Sequence, residues 1–315
     1  MDIRQQITDD IIKAMEAGVP PWRQGWSSGL LAFNASSGQT YKGINQLILG
    51  MQPHADPRWL TYKQAEHMGL QVRRGEHGAR VVKLVEVERK RAKQAAGSEG
   101  EVLSEENGKA LVLKAYTVFN AAQIEGMAPM PQRECDVQPA EAVEAIVWGL
   151  QDTGLKLNFG HYQPAYDMKR DEIRIPVAKD FHSLDDFQAT LLHEAAHSSG
   201  HPKRLSRQHI LGGFGSAEYA REELRAELAS AFMQGLVGLP PSPTMIESHA
   251  AYLSSWLEVL RNDKGEIFRA AADAQRICDY LSERALKARP RGNPDSSLQS
   301  EPEPALVAKG TRMKM

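Results

Sequence analysis

Apolar residues recur every three or four positions along several stretches of the chain, which is the pattern of amphipathic α-helices. One such stripe runs from Ile3 to Met15. Further helices are predicted for segments 41–49, 140–151, 183–199, 216–235 and 247–260, with a last one ending near residue 281. Thr61 and Gln64 have capping-box form and predict a short helix that stops at Gly69.

Other segments are rich in β-branched and apolar residues, as in β-strands. Segments 71–74 and 80–87 flank the turn at 75–78, and the run 110–119 is expected to pair with 80–87. Residues 155–175 also have strand character. The sequence therefore predicts an α+β protein of two domains, a small mixed α/β domain followed by a mainly helical one.

Composition sets the expected domain boundaries. Residues 94–109 are rich in Ala, Gly, Ser and Glu and predict a flexible hairpin excursion inside a first domain that spans 1–127. Proline-rich residues 128–139 are expected to be a linker, and 140–286 a second domain. The tail, 287–315, is rich in Pro, Ser and charge and is predicted to be disordered.

The overall composition excludes several classes of protein. The chain has 315 residues, 42% hydrophobic and 25% charged, which is typical of globular proteins. A formal charge of −2 excludes a uniformly basic nucleic-acid binder, and two cysteines exclude a disulfide framework. The chain contains neither an apolar run of about 20 residues nor a signal-peptide core. We therefore expect a cytoplasmic protein without a membrane partner.

The most informative motif is His193-Glu194-Ala195-Ala196-His197, an H-E-x-x-H sequence inside a predicted helix. Residues four apart lie above one another on a helix, so both imidazoles can share one Zn²⁺. Glu194 can then act as the catalytic base on a coordinated water, whose pKa falls to roughly 7. The motif predicts a zinc-dependent metallopeptidase, with Mn²⁺ as an alternative metal and a chance match as the alternative explanation.

A catalytic zinc needs a third protein ligand. The candidates are Glu222, Glu223, Glu227 and His201. His201 continues the helical ladder but lies a turn too far from His193. Glu223 and Glu227 share a helix face, so we assign Glu223 as the ligand and Glu227 as the hydrogen-bond partner of a ligand imidazole. The alternative is that these glutamates are solvated surface charges.

A peptidase site also needs a donor for the developing oxyanion. Tyr219, His249, Tyr252 and Lys264 are the candidates, and the sequence does not choose among them.

The first half of the chain is locally basic. Segment 20–93 contains twelve Lys and Arg residues against five acids, with aromatic residues interleaved. Cations along a groove and aromatic faces for bases are the features of a single-stranded nucleic-acid site. The candidate DNA-binding residues are Trp22, Trp26 and Tyr41 for stacking, and Arg23, Lys42, Arg73 and Arg74 for phosphates. The alternative is that the tryptophans form a small core.

Both halves of the chain contain an ordered series of short motifs. Those of the N-terminal half are Pro21-Trp22-Arg23, Phe33-Asn34, Gly43-Ile44-Asn45, Trp59-Leu60-Thr61-Tyr62 and Arg74-Gly75-Glu76. Those of the C-terminal half are Asp171-Glu172-Ile173, the His193 to His197 motif, Gly200-His201, Arg204-Leu205 and Tyr219-Ala220-Arg221-Glu222-Glu223. Taken in order, these motifs resemble those of the ArdC antirestriction proteins of conjugative plasmids.

This resemblance implies an N-terminal single-stranded-DNA-binding domain, also found at the start of TraC-type primases, and a C-terminal zincin-like metallopeptidase domain. It implies a protein that protects incoming plasmid DNA from host restriction during conjugation, and one that can be transferred to the recipient cell with that DNA. The protein substrate is unknown, and host restriction machinery is a candidate. Two alternatives are a DNA-binding shield with a structural or vestigial zincin domain and a protease acting on DNA-bound or DNA-crosslinked proteins.

Overall fold

The computed structural model describes residues 2–17, 30–97, 100–130, 138–207, 213, 215–240 and 243–288, with the backbone alone over 243–251. Three candidate DNA-binding residues, Trp22, Arg23 and Trp26, lie outside the described residues. Positions 131–137 of the predicted linker and 289–315 of the predicted tail lie outside them as well.

Within the described residues, the N-terminal half is built on a five-stranded sheet. The strands of this half are β1 (Phe33–Asn34), β2 (Arg58–Thr61), β3 (Gln71–Val72), β4 (Ala79–Glu88), β5 (Glu101–Glu106), β6 (Lys109–Asn120) and β7 (Ile124–Glu125). Its helices are α1 (Ile3–Glu16), α2 (Ile44–Gly50), α3 (Tyr62–His67) and α4 (Ala92–Ala96).

The sheet has the strand order β1-β2-β6-β4, and β5 also pairs with β6. β1 and β2 are parallel, and the other pairs are antiparallel. The register of β4 and β6 runs from Ala79 opposite Val118 to Glu88 opposite Lys109. The expected pairing of segments 80–87 and 110–119 is therefore confirmed.

Helix α3 begins with the capping box that the sequence predicts. The Thr61 hydroxyl accepts the Gln64 backbone N–H at 3.2 Å, and the Gln64 side-chain oxygen accepts the Thr61 backbone N–H at 2.9 Å. Two N–H groups that lack partners within the helix are thereby satisfied, which fixes where the helix starts.

Strands β3 and β4 both form where the sequence predicts them, but they do not pair with each other. β3 pairs with β7 instead, with Val72 opposite Ile124. Gln123, at the corner between β6 and β7, donates its amide to the carbonyl oxygen of His77 at 2.9 Å. This bond holds the 75–78 turn against the corner. A hydrophobic pattern identifies strands but not their partners, so two strands that flank a turn need not pair with each other.

The segment 94–109, expected to be a flexible excursion, contains the end of α4 and all of β5. β5 pairs with β6 along its length, with a bulge between Val102 and Ser104. Ala92 of α4 is fully buried in a cluster with Ala110 and Val112 of β6. Alanines let this short helix lie close to the sheet, so a composition poor in large apolar residues still gives ordered packing.

The C-terminal half is mainly helical. Its helices are α5 (Pro139–Gln151), α6 (Leu184–Ser198), α7 (Ala217–Val237), α8 (Pro243–Asn262) and α9 (Glu266–Lys287). Its strands are β8 (Lys156–Phe159), β9 (Ala165–Asp167) and β10 (Glu172–Ile175), which form a sheet in the order β8-β10-β9. The Ser183 hydroxyl accepts the Asp186 N–H at 3.1 Å and caps α6, as predicted. This α+β organisation agrees with the predicted fold class.

The two halves pack against each other and share a hydrophobic core. The buried stripe of α1 belongs to the same cluster as residues of α8 and α9 such as Trp256 and Ile277. The Thr8 hydroxyl also donates to the Lys264 carbonyl oxygen at 2.9 Å. Gly43, at the start of α2, has φ 56 and donates its N–H to the Gln275 side chain at 3.1 Å. Glycine tolerates this left-handed conformation, which brings the backbone close to α9.

None of the helices in the described ranges has the length and apolar content needed to cross a membrane.

We predict that Asn45→Ala lowers the free energy of unfolding by about 1–3 kcal/mol. The Asn45 amide bridges the backbone of Val82 on edge strand β4, donating to its carbonyl oxygen at 2.7 Å and accepting its N–H at 2.8 Å. Alanine removes both bonds. Urea denaturation measures the change. Asn158→Ala on β8, where the amide makes one long 3.4 Å bond at the surface, is the control. Equal stability of Asn45→Ala and wild type would show that the bridge contributes nothing.

Candidate metal centre

Helix α6 presents His193 and His197 on one face, one turn apart. Their Nε2 atoms lie 3.1 Å from each other, and the two rings are almost perpendicular, at 85°. Both nitrogens therefore point at one location beside the helix, as the H-E-x-x-H spacing predicts.

Helix α7 brings Glu223 to the same location. One carboxylate oxygen of Glu223 lies 3.6 Å from Nε2 of His193, and the other lies 3.5 Å from Nε2 of His197. Donor atoms about 2.0–2.1 Å from a tetrahedral zinc lie roughly 3.3 Å from one another. The separations of 3.1–3.6 Å therefore suit a single divalent cation, and nitrogen with carboxylate donors is a set that zinc and manganese accept.

Two further glutamates of α7 face the other ring nitrogens. Glu222 lies 3.2 Å from Nδ1 of His197, within hydrogen-bond distance, and accepts a bond from Arg207 Nε at 3.1 Å. Glu227, which is fully buried, has a carboxylate oxygen 3.7 Å from Nδ1 of His193. The contact with Glu222 fixes the tautomer and the direction of the His197 ring, so that its Nε2 is the free donor. Glu227 lies on the corresponding side of the His193 ring, just beyond hydrogen-bond distance.

His201 is directed away from this cluster. Its Nδ1 accepts the Lys203 backbone N–H at 3.2 Å and lies 3.9 Å from a carboxylate oxygen of Asp171. Of the four sequence candidates for a third ligand, Glu223 is therefore the one whose oxygens approach both Nε2 atoms. Glu222 and Glu227 lie on the Nδ1 sides of the rings instead.

The cluster concentrates negative charge around the two imidazoles. Burial acts to raise the pKa of Glu223, but the charge of His197 and the bonds to both histidines lower it far below the ordinary value. Burial acts in the opposite sense on His197, yet Glu223 and Glu222 raise its pKa well above normal. Both pKa shifts show that the site stabilises a positive charge placed between its donor atoms.

A cleft of about 260 Å³ opens onto the cluster, lined by Glu194, Tyr166, Met168, Tyr219 and Tyr252 among others. Glu194 is buried, which raises the pKa of its carboxyl group, and the Tyr166 backbone donates a hydrogen bond to it. A carboxylate in such a place can accept a proton and release it later. Tyr166 belongs to β9, the edge strand of its sheet, so one wall of the cleft is a strand edge.

Two tyrosines complete the other wall of the cleft. The hydroxyl oxygens of Tyr219 and Tyr252 lie 3.1 Å apart, and Tyr219 also bonds to Glu223. Burial raises the pKa of both phenols, so both remain protonated donors at neutral pH. Lys264, another candidate oxyanion donor, forms an ion pair with Asp2, the N-cap residue of α1, instead. The side chain of His249 lies outside the described part of the chain.

A buried ion pair holds β9 and β10 against the end of α6. The Arg204 guanidinium has no exposed surface and pairs with Asp171, which precedes β10. Arg204 also donates to the Ser198 carbonyl oxygen at 2.7 Å and to the Tyr166 hydroxyl at 3.1 Å. One side chain thus connects the C-terminal end of the histidine helix to the strand edge that lines the cleft.

The described candidates for DNA binding lie in two places. Tyr41 is half-buried against the cluster that contains Trp59, and Lys42 pairs with Asp279 of α9 at 3.4 Å. Arg73 and Arg74 are exposed after β3, and the Arg73 guanidinium donates to the Ala122 carbonyl oxygen at 2.6 Å. Among the described residues, no hydrogen bond or ion pair joins these two groups.

Sequence reasoning missed the contributions of Arg204, Arg207 and Asp171, and it considered Glu222 only as a possible ligand. Arg204 and Asp171 belong to motifs of the family resemblance but had no assigned role. Arg207 belongs to no motif at all. These residues act through contacts between segments 15 or more positions apart, which periodicity does not encode.

The fold and the site are those of a zincin-like metallopeptidase domain preceded by a smaller mixed α/β domain. Residues 141–273 match the family described as zincin-like metallopeptidase, and residues 1–119 match the N-terminal domain of anti-restriction factor ArdC. The metal-free crystal structure of the antirestriction ArdC protein from plasmid R388 has a TM-score of 0.73 and 34% identity, covering 92% of this chain and 100% of that chain. The Mn(II)-bound structure of the same protein has a TM-score of 0.71 and 35% identity, covering 90% of this chain and 98% of that chain. The chain belongs to the ArdC family.

Curated relatives also match most of this chain. Two DNA primases TraC of Escherichia coli are 39% and 37% identical over 88% and 87% of this chain. The chain spans 27% and 19% of the length of those primases. The uncharacterized protein y4eC of Sinorhizobium fredii is 36% identical over 89% of this chain and 91% of that protein.

We predict that Asp171→Asn lowers the free energy of unfolding at pH 7 by about 3–5 kcal/mol, because it leaves the buried Arg204 charge unpaired. Burial acts to raise the pKa of Asp171, but bonds from Arg204 and Tyr166 hold it below the ordinary value. A lowered folded-state pKa gives stability that is present above about pH 4 and is lost as the pH falls below that value. The difference in free energy of unfolding between variant and wild type should therefore become smaller at acidic pH.

Urea denaturation at neutral and acidic pH measures both effects of this substitution. Asp167→Asn is the control, because its pairs with Arg170 and Arg174 are partly exposed and are worth about 0–1 kcal/mol. If the difference in free energy of unfolding stayed constant down to acidic pH, this would contradict the ionic role of Asp171.

Proposed function

We propose that this chain is an antirestriction protein that binds single-stranded DNA and carries a divalent-metal-dependent peptidase site, and that it protects incoming plasmid DNA from host restriction. The observation that carries the enzymatic part is the convergence of His193, His197 and Glu223 beside Glu194 in a cleft. Membership of the ArdC family supports the antirestriction part.

His193 and His197 would bind the cation through Nε2, and Glu223 through its carboxylate. The Mn(II)-bound structure of the ArdC protein from plasmid R388 supports a divalent metal as the ligand, and we propose zinc or manganese here. When bound, the cation supplies Lewis acidity to a carbonyl group and makes a water more acidic. Glu222 and Glu227 would hold the two rings in the binding orientation.

Glu194 would be the proton carrier of the reaction. Its buried carboxylate accepts the proton of the attacking water and then delivers it to the leaving amine, and a raised pKa suits both steps. Tyr219 and Tyr252 would donate hydrogen bonds to the oxyanion that forms at the carbonyl carbon. Their buried, protonated hydroxyls support this role.

The edge of β9 suggests an extended peptide as the substrate. Ala165 and Tyr166 line the cleft, and β9 pairs with β10 on one side. An extended chain that adds to a strand edge gains main-chain hydrogen bonds largely independent of its sequence. Proteins met by transferred DNA, host restriction enzymes among them, would be candidate substrates.

The N-terminal half would supply DNA binding. The candidates remain Trp22, Arg23, Trp26, Tyr41, Lys42, Arg73 and Arg74. Of the described ones, Arg73 and Arg74 are exposed, whereas Tyr41 is half-buried and Lys42 is engaged with α9. Relatives named DNA primase TraC support a role at DNA. Binding through phosphates should weaken as salt rises.

We predict that Glu194→Gln retains the metal but lowers cleavage by about a hundredfold to ten-thousandfold, because it removes the proton carrier. Cleavage of added protein, or of the chain itself, is measured with single-stranded DNA and Zn²⁺ or Mn²⁺ and is followed by gel and mass spectrometry. Glu218→Gln, an exposed glutamate of α7, is the matched control and should keep full activity. Cleavage by Glu194→Gln at the wild-type rate would remove Glu194 from the mechanism.

A conjugation assay separates proteolysis from shielding. We predict that Glu194→Gln reduces transfer of a plasmid into a restricting recipient and leaves transfer into a non-restricting recipient unchanged. Trp22→Ala combined with Arg23→Ala should reduce protection as well, since DNA binding brings the site to its substrate. Full protection by Glu194→Gln, together with its loss in the Trp22 and Arg23 variant, would establish the DNA-binding shield instead.

A further inference from the structure

The middle of one sheet face carries two lysines and a tyrosine side by side. Lys83 of β4 stands directly opposite Lys114 of β6, and Tyr116 stands opposite Val81. Residues two apart on a strand share a face, so Lys83, Lys114 and Tyr116 lie together. We call these three residues the central sheet face. Lys83 is exposed, and Tyr116 is 41% exposed.

The like-charged pair is unfavourable for the folded chain by itself. Directly opposite residues of an antiparallel pair have Cβ atoms about 4.5–5.5 Å apart, and like charges there are destabilising. Within the described ranges, neither Lys83 nor Lys114 has a carboxylate oxygen within 4 Å of its ammonium group. Neighbouring lysines do have such partners, as in the 2.5 Å pair of Lys109 with Glu86. An external anion would neutralise the repulsion.

Packed elements border the central sheet face on two sides. Towards one end of β6, Val112 and Ala110 pack under Ala92 of α4. Towards the other end, Val118 and its neighbours pack against Trp59 in a cluster that includes Leu49 of α2. Val118 lies six positions after Val112, a distance of roughly 20 Å along an extended strand. The central sheet face therefore lies between α4 and the α2 side of the sheet.

We propose that a single strand of nucleic acid lies across this face, with phosphates at Lys83 and Lys114 and a base on the ring of Tyr116. This inference rests on the proposed DNA binding and assigns it a surface outside the seven sequence candidates. Two cations next to an exposed aromatic face match the alternation of phosphate and base along a strand. An acidic peptide would satisfy the lysines but offers no base to the ring.

The test uses the full-length chain and a fluorescent oligothymidylate, with anisotropy measured over a series of salt concentrations. Lys83→Gln with Lys114→Gln should reduce the slope of log affinity against log salt by about 1.4, or 0.7 for each phosphate that is no longer neutralised. Tyr116→Ala should weaken binding about tenfold or more, and Tyr116→Phe should bind like wild type. The control is Lys156→Gln with Lys179→Gln, which removes two exposed lysines of the other half.

Circular dichroism melting verifies that each variant is folded before its affinity is compared. Wild-type affinity and slope in the Lys83 and Lys114 variant would overturn this assignment and leave the proposed function intact. Equally weakened binding in the Lys156 and Lys179 control would overturn it as well, since that would indicate a general charge effect. Displacement of the oligonucleotide from wild type by polyglutamate, with unchanged affinity in Tyr116→Ala, would overturn it in favour of an acidic peptide. A wild-type chain that binds no single strand would refute the proposed DNA binding itself.

Discussion

The main constraint on the C-terminal half is that two imidazoles and one carboxylate from different helices must be held at the same buried point. His193 and His197 come from α6 and Glu223 from α7, with donor atoms 3.1–3.6 Å apart. The two helices can approach closely because small residues face each other along their contact. Ala189 and Ser230, for example, meet through a hydrogen bond from the serine hydroxyl to the alanine carbonyl oxygen at 3.3 Å. Burial then strengthens every charge interaction at the site.

Charged pairs around this cluster determine how the surrounding elements are arranged. Arg207 neutralises Glu222, and Arg204 fixes Asp171 and the strand edge. On the far side of α7, Arg225 is 2% exposed and pairs with Glu266 at 2.7 Å. Such pairs contribute little net stability, because desolvation offsets their attraction, yet breaking one leaves a buried charge. They therefore act chiefly by penalising other arrangements of α6, α7 and α9.

The sequence was sufficient for the parts of the protein that local chemistry encodes. The caps at Ser183 and Thr61, the histidine spacing and the shared face of Glu223 and Glu227 all follow from contacts within one helix turn. Contacts between distant parts of the chain do not follow from local chemistry. They include the pairing of β3, the packing of α1 onto the second half and the role of Arg207. Glu222 illustrates the limit. It adjoins Glu223 in sequence, but successive residues on a helix are rotated by about 100°. The Glu223 carboxylate therefore faces Nε2 of His197, whereas the Glu222 carboxylate faces Nδ1 of the same ring.

The proposed chemistry requires that His193, His197 and Glu223 hold one divalent cation. Calorimetric titration of the chelator-treated full-length chain with Zn²⁺ or Mn²⁺ measures this binding. We expect one saturable site in the wild-type chain, its loss in Glu223→Ala and in His197→Ala, and its retention in Glu218→Ala. Absence of saturable binding to wild type, or wild-type affinity in Glu223→Ala, would contradict it.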